Sequence, residues 1–529
     1  MPTTRADLGR SAALLLAAAA LLAGPAAAET VKLAPGAMPA VAKVDKRFQS
    51  YNVEMAEVIG GRFWAPYPKP GAKSAAAAGP SGGVDLAAGM FRKRDPVDLK
   101  GDRRLRNLAK ALGPAYVRVG GAWANTAYFQ DDDQPAMAKP PAGYQGVLTR
   151  AQWGGVVDFA KATDAAIVTS FGVSAGARGA DGVWKPDNAR QLVDYTRTIG
   201  GSIYAAELIN EPNVGPMVGL PKGYDANTFA RDQAVFRAFL RSDAPQTKSV
   251  GPVSTGEAGF MLFPKVPGQV PTDELMSAEP KPTFDIFAYH FYGTSSKRCS
   301  GMDKSAGIEP VNALSEAWLS RADRTFDYYK ARRDRFAPGA PIWITEMAET
   351  ACGGDAWAAT FLDTFRYVDQ MGRLAKKNVQ AIFHNTLSAS DYALIDDQTW
   401  EPRPSYWAAV LWRRTMGETV LDAGPNTGEL HVYAQCLRGR PGGVGLVAIN
   451  LSRTDKASLT LPTAAQRYTL TADELQSKTV KLNGRVLAMQ PGDQLPALTP
   501  VAAAKGPLSL APASITFLAI PNAANKACK

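Results

Sequence analysis

The sequence predicts an α/β protein: a (β/α)8 TIM barrel followed by a C-terminal β-sandwich domain. Three observations predict it. Eight apolar stretches of strand length alternate with mostly helical connections between Phe48 and His384. Two of these stretches end on a glutamate: Glu211 in Ile203-Tyr-Ala-Ala-Glu-Leu-Ile-Asn-Glu-Pro-Asn213, and Glu346 in Pro341-Ile-Trp-Ile-Thr-Glu-Met347. Barrel enzymes keep their chemistry at such strand ends. Beyond Met416 the texture changes to short alternating runs between turn signals, the pattern of a sandwich of about 110 residues. A doubly wound open sheet alternates too, but the count of strands and the polar residues at their C-terminal ends favour closure.

In chain order, residues 1–28 read as a signal peptide. Arg5 and Arg10 precede an apolar run from Ala12 to Ala23, and Pro25-Ala-Ala-Ala28 supplies a cleavage site. That run is too short to span a bilayer and no later segment has spanning length. An exported protein, periplasmic or secreted and without stable membrane insertion, is expected. Residues 29–46 form a leader segment able to add a strand to the sandwich, 47–416 the barrel and 417–529 the sandwich. The first barrel strand, Phe48 to Met55, ends near Glu54. Residues 64–83, proline-rich with an alanine/glycine run, form a surface loop. Helical spacing over Leu105–Leu112 stops at Gly113-Pro114, and the strand Ala115–Gly121 follows. The alternation continues with helices at Trp153–Thr163, Asn188–Ile199, Phe229–Asp243, Leu314–Phe336 and Ala356–Lys376. Strands fall at Ala165–Phe171, Ile203–Ile209, Ser249–Pro252, Phe284–Tyr292, Pro341–Thr345 and Val379–His384. Tyr406–Met416 closes the barrel. Sandwich strands are expected at Leu430–Cys436, Gly443–Leu451, Ala457–Leu461, Tyr468–Leu470, Thr479–Leu482 and Ser514–Ile520.

Composition is globular, with 46% hydrophobic and 20% charged residues among 529. The net charge is +10, or +9 once Arg5, Arg10 and Asp7 leave with the signal peptide. Outside the cytoplasm such a surplus favours polyanionic partners. Candidate basic clusters are Arg92-Lys93-Arg94, Arg103-Arg104 with Arg106, Arg332-Arg333 with Arg335, and Arg413-Arg414, although most such clusters are solvated faces. Four cysteines in an exported chain imply two disulfides. Cys299 and Cys352 lie just beyond catalytic strand ends and Cys436 and Cys528 in the C-terminal region, so pairing within each set is expected among the three possible connectivities. Neither the cysteines nor His290, His384 and His431 have metal-ligand spacing, and no metal or cofactor is expected.

Paired carboxylates on opposing strand ends are what glycoside hydrolysis needs: one protonates the leaving oxygen and one attacks the anomeric carbon. Glu211 is assigned as acid/base and Glu346 as nucleophile. A separation of ~5 Å across the barrel mouth implies retention of configuration. Asn-Glu-Pro alone also suits a helix-start turn; the second glutamate tips the reading. Tyr289-His290-Phe291-Tyr292 ends the strand before that of Glu346, so a tyrosine there either bonds Glu346 or is a buried aromatic satisfied elsewhere. Gly172-Val-Ser-Ala-Gly176 matches a nucleophile elbow, but the segment after it, Ala177 to Pro186, is polar and glycine-rich instead of helical.

At these residues the chain resembles glycoside hydrolase family 79, the heparanase and β-glucuronidase family of clan A. The ordered marks are Ala115-Tyr-Val-Arg-Val-Gly-Gly121, Glu207-Leu-Ile-Asn-Glu-Pro-Asn213, Tyr289-His-Phe-Tyr292, Ile344-Thr-Glu-Met347, Cys352-Gly-Gly354, Pro404-Ser-Tyr-Trp407 and Leu430-His-Val-Tyr-Ala-Gln-Cys436. The resemblance implies the same two glutamate roles, a sugar contact from Asn210, and binding of a uronic-acid carboxylate by Gly353, Gly354 and Tyr392. Glycines let N–H donors approach an anion closely. It implies that Cys436 and Cys528 tie the C-terminal tail into the sandwich. Glu54 stands where the family often carries a sugar-contacting aspartate, and Tyr292 is counted with it among the expected substrate-binding residues. The expectation is a monomeric single-chain enzyme, endo-acting on a sulfated uronic-acid polysaccharide of the heparan sulfate type, with no nucleic-acid partner. An exo-β-glucuronidase on short or plant-derived glucuronides, or a catalytically silent binder of sulfated glycans, are the alternatives.

Overall fold

The computed structural model describes residues 30–67, 90–260, 268–301 and 303–529. The expected signal peptide and most of the proline-rich loop lie outside these residues. Eight strands close into a barrel: β1 (Gln49–Glu54), β2 (Ala115–Gly120), β3 (Ala165–Ser170), β4 (Ile203–Glu207), β5 (Lys248–Ser254), β6 (Ile286–Tyr292), β7 (Ile342–Ala348) and β8 (Ala381–His384). Each pairs in parallel with its chain neighbour, and β8 pairs back onto β1. Burial on both faces explains the near-continuous apolar sequence of these strands.

The N-terminal ends of the strands fill the interior with rings. Tyr116 of β2 lies 4.7 Å from Trp343 of β7, 5.0 Å from Tyr204 of β4 and 5.8 Å from Phe383 of β8, centroid to centroid. With that end plugged, polar side chains can converge only at the C-terminal mouth. The outer helices are held by local signals in the sequence. In Arg103–Leu112, Asp102 accepts a hydrogen bond from the Leu105 N–H, and Leu105, Leu108, Ala109 and Leu112 face the core. Thr149 and Gln152 form a reciprocal capping box at the start of Arg150–Ala162.

Several boundaries differ from expectation. The helix expected over Leu314–Phe336 is broken into Glu316–Leu319 and Arg321–Phe336, the first turn starting at Ser315, whose hydroxyl accepts from the Trp318 N–H. The helix expected from Ala356 begins at Phe361, because Asp355 to Thr360 is spent on turns whose N–H groups bond back locally. Two small sheets on the barrel's rim were not anticipated: Gly61–Trp64 with Phe91–Arg94, antiparallel, and Ala127–Gln130 with Gly146–Thr149, parallel.

C-terminal to the barrel, two sheets face one another. The larger includes Met416–Leu421, Leu430–Leu437, Val444–Asn450, Ser514–Ile520 and Ala465–Thr471; the smaller includes Ala457–Leu461 and Gly506–Leu510. The leader adds a strand to each: Thr30–Lys32 beside Ala457–Leu461 and Ala40–Lys43 beside Met416–Leu421. Cys436–Cys528 and Cys299–Cys352 are both disulfides. Buried Asp369, on Phe361–Lys376, accepts from His431 Nδ1 and the Tyr433 hydroxyl, each at 2.6 Å, and so fastens a barrel helix to a sandwich strand.

Candidate active site

The site assembles at the C-terminal ends of the barrel strands, around a cleft of about 910 Å³ whose wall includes Glu54, Asn210, Glu211, Tyr292, Glu346, Asn385 and Tyr392. A carboxylate oxygen of Glu211, a ring nitrogen of His290 and a carboxylate oxygen of Glu346 all lie within 4.8 Å of one another.

Glu346, near the end of β7, is buried. Its Oε1 accepts from Arg118 Nη1 at 2.8 Å and its Oε2 from the Tyr292 hydroxyl at 2.6 Å. Burial by itself would raise its pKa, but His290 and Arg118 beside it, with the hydroxyl of Tyr292, hold the carboxyl below its usual range. The direction of the Tyr292 bond is fixed from behind. Asn385 Nδ2 donates to the hydroxyls of Tyr292 at 2.9 Å and Tyr392 at 3.2 Å, while its Oδ1 accepts from Asn52 at 3.1 Å. A hydroxyl that accepts from an amide has its proton free for the carboxylate.

Arg118 is fully buried on β2. Besides Glu346 it bonds Glu207, both of whose oxygens lie 3.2 Å from Nε, and the Asn210 side chain at 2.7 Å. Burial would lower its pKa, but Glu207 and Glu346 hold it well above the ordinary value. One guanidinium therefore positions the nucleophile candidate and its neighbouring asparagine together.

Glu211 caps the short turn Pro212–Met217 in a left-handed conformation, φ +52° and ψ +55°. That conformation costs on the order of 1–3 kcal/mol for a residue with a Cβ and persists where its surroundings over-determine it. Asn125 supplies the constraint: its side chain accepts from the Asn210 N–H and donates to the carbonyls of Asn210 and Val218, at 2.9, 3.0 and 2.9 Å. Glu211 Oε1 lies 2.9 Å from His290 Nδ1.

Glu54 ends β1 and is buried. Burial and the nearby charge of Glu346 push its carboxyl well above the usual range. Gly121, at φ +84°, leaves the space for it, since a Cβ there would overlap Glu54 Oε2. Ala351 and Cys352 line the cleft, and Gly353 and Gly354, both at φ +85°, follow them. A Cβ on Gly353 would overlap Ser390 Oγ and Trp64. Tyr392 is positioned through its backbone: its carbonyl lies 2.7 Å from Nε2 of His384, an imidazole pushed down to about 3 by burial and therefore neutral, so Nε2–H donates.

Of the two tyrosines ending β6, only Tyr292 reaches Glu346. Tyr289 points the other way and stacks on Tyr329 at 4.4 Å. The serine of Gly172-Val-Ser-Ala-Gly176 has no histidine: the chain's three are engaged with Glu211, with the Tyr392 carbonyl and with Asp369. Arg118, Asn125, Glu207, His290 and Asn385 are site residues to which sequence reasoning assigned no role. A charge inside an otherwise apolar strand, as in Tyr-Val-Arg-Val and Tyr-Ala-Ala-Glu, was the available signal.

Glu211, His290 and Glu346 are close enough to share a cation, but the donor set fits one poorly. Both Glu346 oxygens are already bonded, and the Arg118 guanidinium would stand against the ion. The basic clusters are largely spent within the fold. Arg92 and Arg94 pair with Asp397, Arg103 with Asp493, Arg104 with Glu401, Arg106 with Asp158 and Arg332 with Asp273, while Arg413 bonds the carbonyls of Lys46 and Gly113. Among the described residues, the charged side chains lining the cleft are Glu54, Glu211, Glu346 and Arg298, and Arg298 pairs with Asp391 at 3.2 Å.

A closed (β/α)8 barrel carrying two carboxylates on one cleft defines a glycoside hydrolase. The family described as "Glycosyl hydrolase family 79, N-terminal domain" matches residues 96–372, and the chain belongs to that family. It is 26% identical to heparanase of Mus musculus over 501 residues, covering 81% of this chain and 87% of that protein. Heparanase-like protein 1 of Arabidopsis thaliana is 25% identical, over 80% of this chain and 85% of its own length. Baicalin-beta-D-glucuronidase of Scutellaria baicalensis is 31% identical over 45% of this chain and 46% of its own. Among solved structures, a 4-O-alpha-L-rhamnosyl-beta-D-glucuronidase from Fusarium oxysporum superposes with a TM-score of 0.62 at 14% identity, covering 93% of this chain and all of that one.

Proposed function

We propose that the chain is an exported, monomeric, retaining β-glucuronidase in which Glu211 is the acid/base and Glu346 the nucleophile. The observation that carries this is the approach of the two carboxylates, within 4.8 Å of each other on one cleft. Retaining enzymes hold their pair about 5–5.5 Å apart, and inverting enzymes need a wider gap for water.

The surroundings support the roles. Arg118 and Tyr292 keep Glu346 ionised and aimed for attack on the anomeric carbon. Glu211, partly open to the cleft, gives its proton to the departing oxygen and then takes one from the water that releases the sugar, with His290 bonded to it throughout. Glu54, Asn210 and Tyr392, which line the cleft, and the glycines at 353 and 354, which follow its wall residue Cys352, are read as the groups that hold the sugar and its carboxylate. Relatives named heparanase and glucuronidase support a glucuronide as the sugar. Residues 1–28, which read as a signal peptide, and the two disulfides support export.

The cleft's described charges favour short glucuronides with an uncharged remainder. Endo action on heparan-sulfate-like chains is a second reading, favoured by relatives named heparanase that match over four-fifths of the chain. Chain-length analysis of digested heparan sulfate separates the two. For the main proposal, Glu211→Gln and Glu346→Gln should each abolish turnover of a phenyl β-glucuronide, and proton NMR should show the β-anomer as first product of the unaltered enzyme. Retained turnover in Glu346→Gln, or the α-anomer first, overturns it.

A further inference from the structure

Resting on the glucuronidase reading, we propose that the half of the cleft beyond Glu211 binds an apolar, uncharged leaving group, an aryl or alkyl aglycone, with Met217 as the specificity-determining residue.

The acid must reach the leaving oxygen, so the residues that follow it in the chain stand on the leaving-group side. The turn Pro212–Met217 presents Val214 and Met217 to the cleft, Val218 continues it, and Thr255 and Gln269 line the same cleft. None of these carries a charge. Met217 is 49% exposed, one of six large apolar side chains among the described residues to be so open. A flexible, polarisable thioether at a binding mouth adapts to flat apolar partners.

The wall is preformed. Asn213 donates to the Thr255 carbonyl at 2.7 Å, accepts from the Thr255 N–H at 3.0 Å, and its own carbonyl takes the Val270 N–H at 3.1 Å. Asn125 holds the turn's other end through the Val218 carbonyl. Apolar surface placed here leaves water without an ordering cost to the protein. A sulfate here would shed hydration without a described cation to replace it. Arg298 does not serve, since it is held across the cleft by the carbonyls of Ala65 and Gly354 and by Asp391.

The test compares kcat/KM for 2-naphthyl β-glucuronide and its 6-sulfonate, whose leaving groups have similar acidity. The unaltered enzyme should prefer the uncharged aglycone by about tenfold or more. Met217→Lys should shrink or reverse that ratio by about tenfold, and Met217→Leu should keep it, showing that the turn still folds. Equal turnover of both substrates, or a ratio unmoved by Met217→Lys, overturns the inference while leaving the glucuronidase reading standing. Turnover of neither substrate overturns that reading, and this inference with it.

Discussion

Replacing Tyr292 by phenylalanine removes one hydroxyl and leaves the ring that fills the cleft wall. In the unaltered protein that hydroxyl donates to Glu346 Oε2 at 2.6 Å and is itself locked by Asn385 at 2.9 Å. A hydrogen bond to a charged acceptor contributes about 1.5–3 kcal/mol, and 1.36 kcal/mol corresponds to one pKa unit. Glu346 is held below its usual range partly by this bond, so losing it should raise the carboxyl's pKa. The sign follows from the role: the nucleophile must be ionised, so activity is lost as pH falls through its pKa, and a higher pKa moves that loss to higher pH. The assay is kcat/KM for a phenyl β-glucuronide across pH 3 to 8, where Tyr292→Phe should shift the acidic limb upward by about one to two pH units. A variant that folds, still turns over substrate and keeps its acidic limb in place would refute the idea that Tyr292 tunes the nucleophile.

Two further expectations concern stability. Asp369 is buried, which alone would raise its pKa, but its bonds from His431 and Tyr433 and the charge of Arg373 hold it below the usual carboxylate range. A depressed folded-state pKa contributes stability above the unfolded value of about 4 that is lost as pH falls through the folded one. Asp369→Asn should therefore be strongly destabilised near pH 7, and its deficit against the unaltered protein in urea denaturation should narrow below about pH 4. The Cys436–Cys528 bridge closes a loop of 92 residues, for which chain entropy suggests up to about 4–5 kcal/mol. Cys436→Ser with Cys528→Ser should lower the denaturation midpoint accordingly while leaving kcat/KM for a phenyl glucuronide unchanged, since neither residue approaches the cleft.

Much of this protein was legible before any coordinates. The period of the apolar runs placed the eight barrel strands and set both glutamates near C-terminal strand ends, although β4 already stops at Glu207, short of Glu211, and β7 runs on past Glu346 to Ala348. These are local signals, carried by residues a few positions apart. The rim sheets escaped because Gly61–Trp64 and Phe91–Arg94 are short and pair across a long insertion. The broken helix at Ser320 escaped because the apolar spacing continues through the break.

What lies behind the two glutamates was decided by tertiary structure alone. Arg118 meets Glu346 across 228 positions of chain, and Asn52 meets Asn385 across 333. Likewise the basic clusters looked like free surface charge until folding set Asp397, Asp493 and Glu401 against them. Amino-acid order determined that eight strands would form and which acids would fall near their C-terminal ends. Only closure of the sheet determined which charges face one another, because Coulomb energy and hydrogen bonding depend on distance in space, and a closed barrel makes neighbours of strands that the chain keeps hundreds of residues apart.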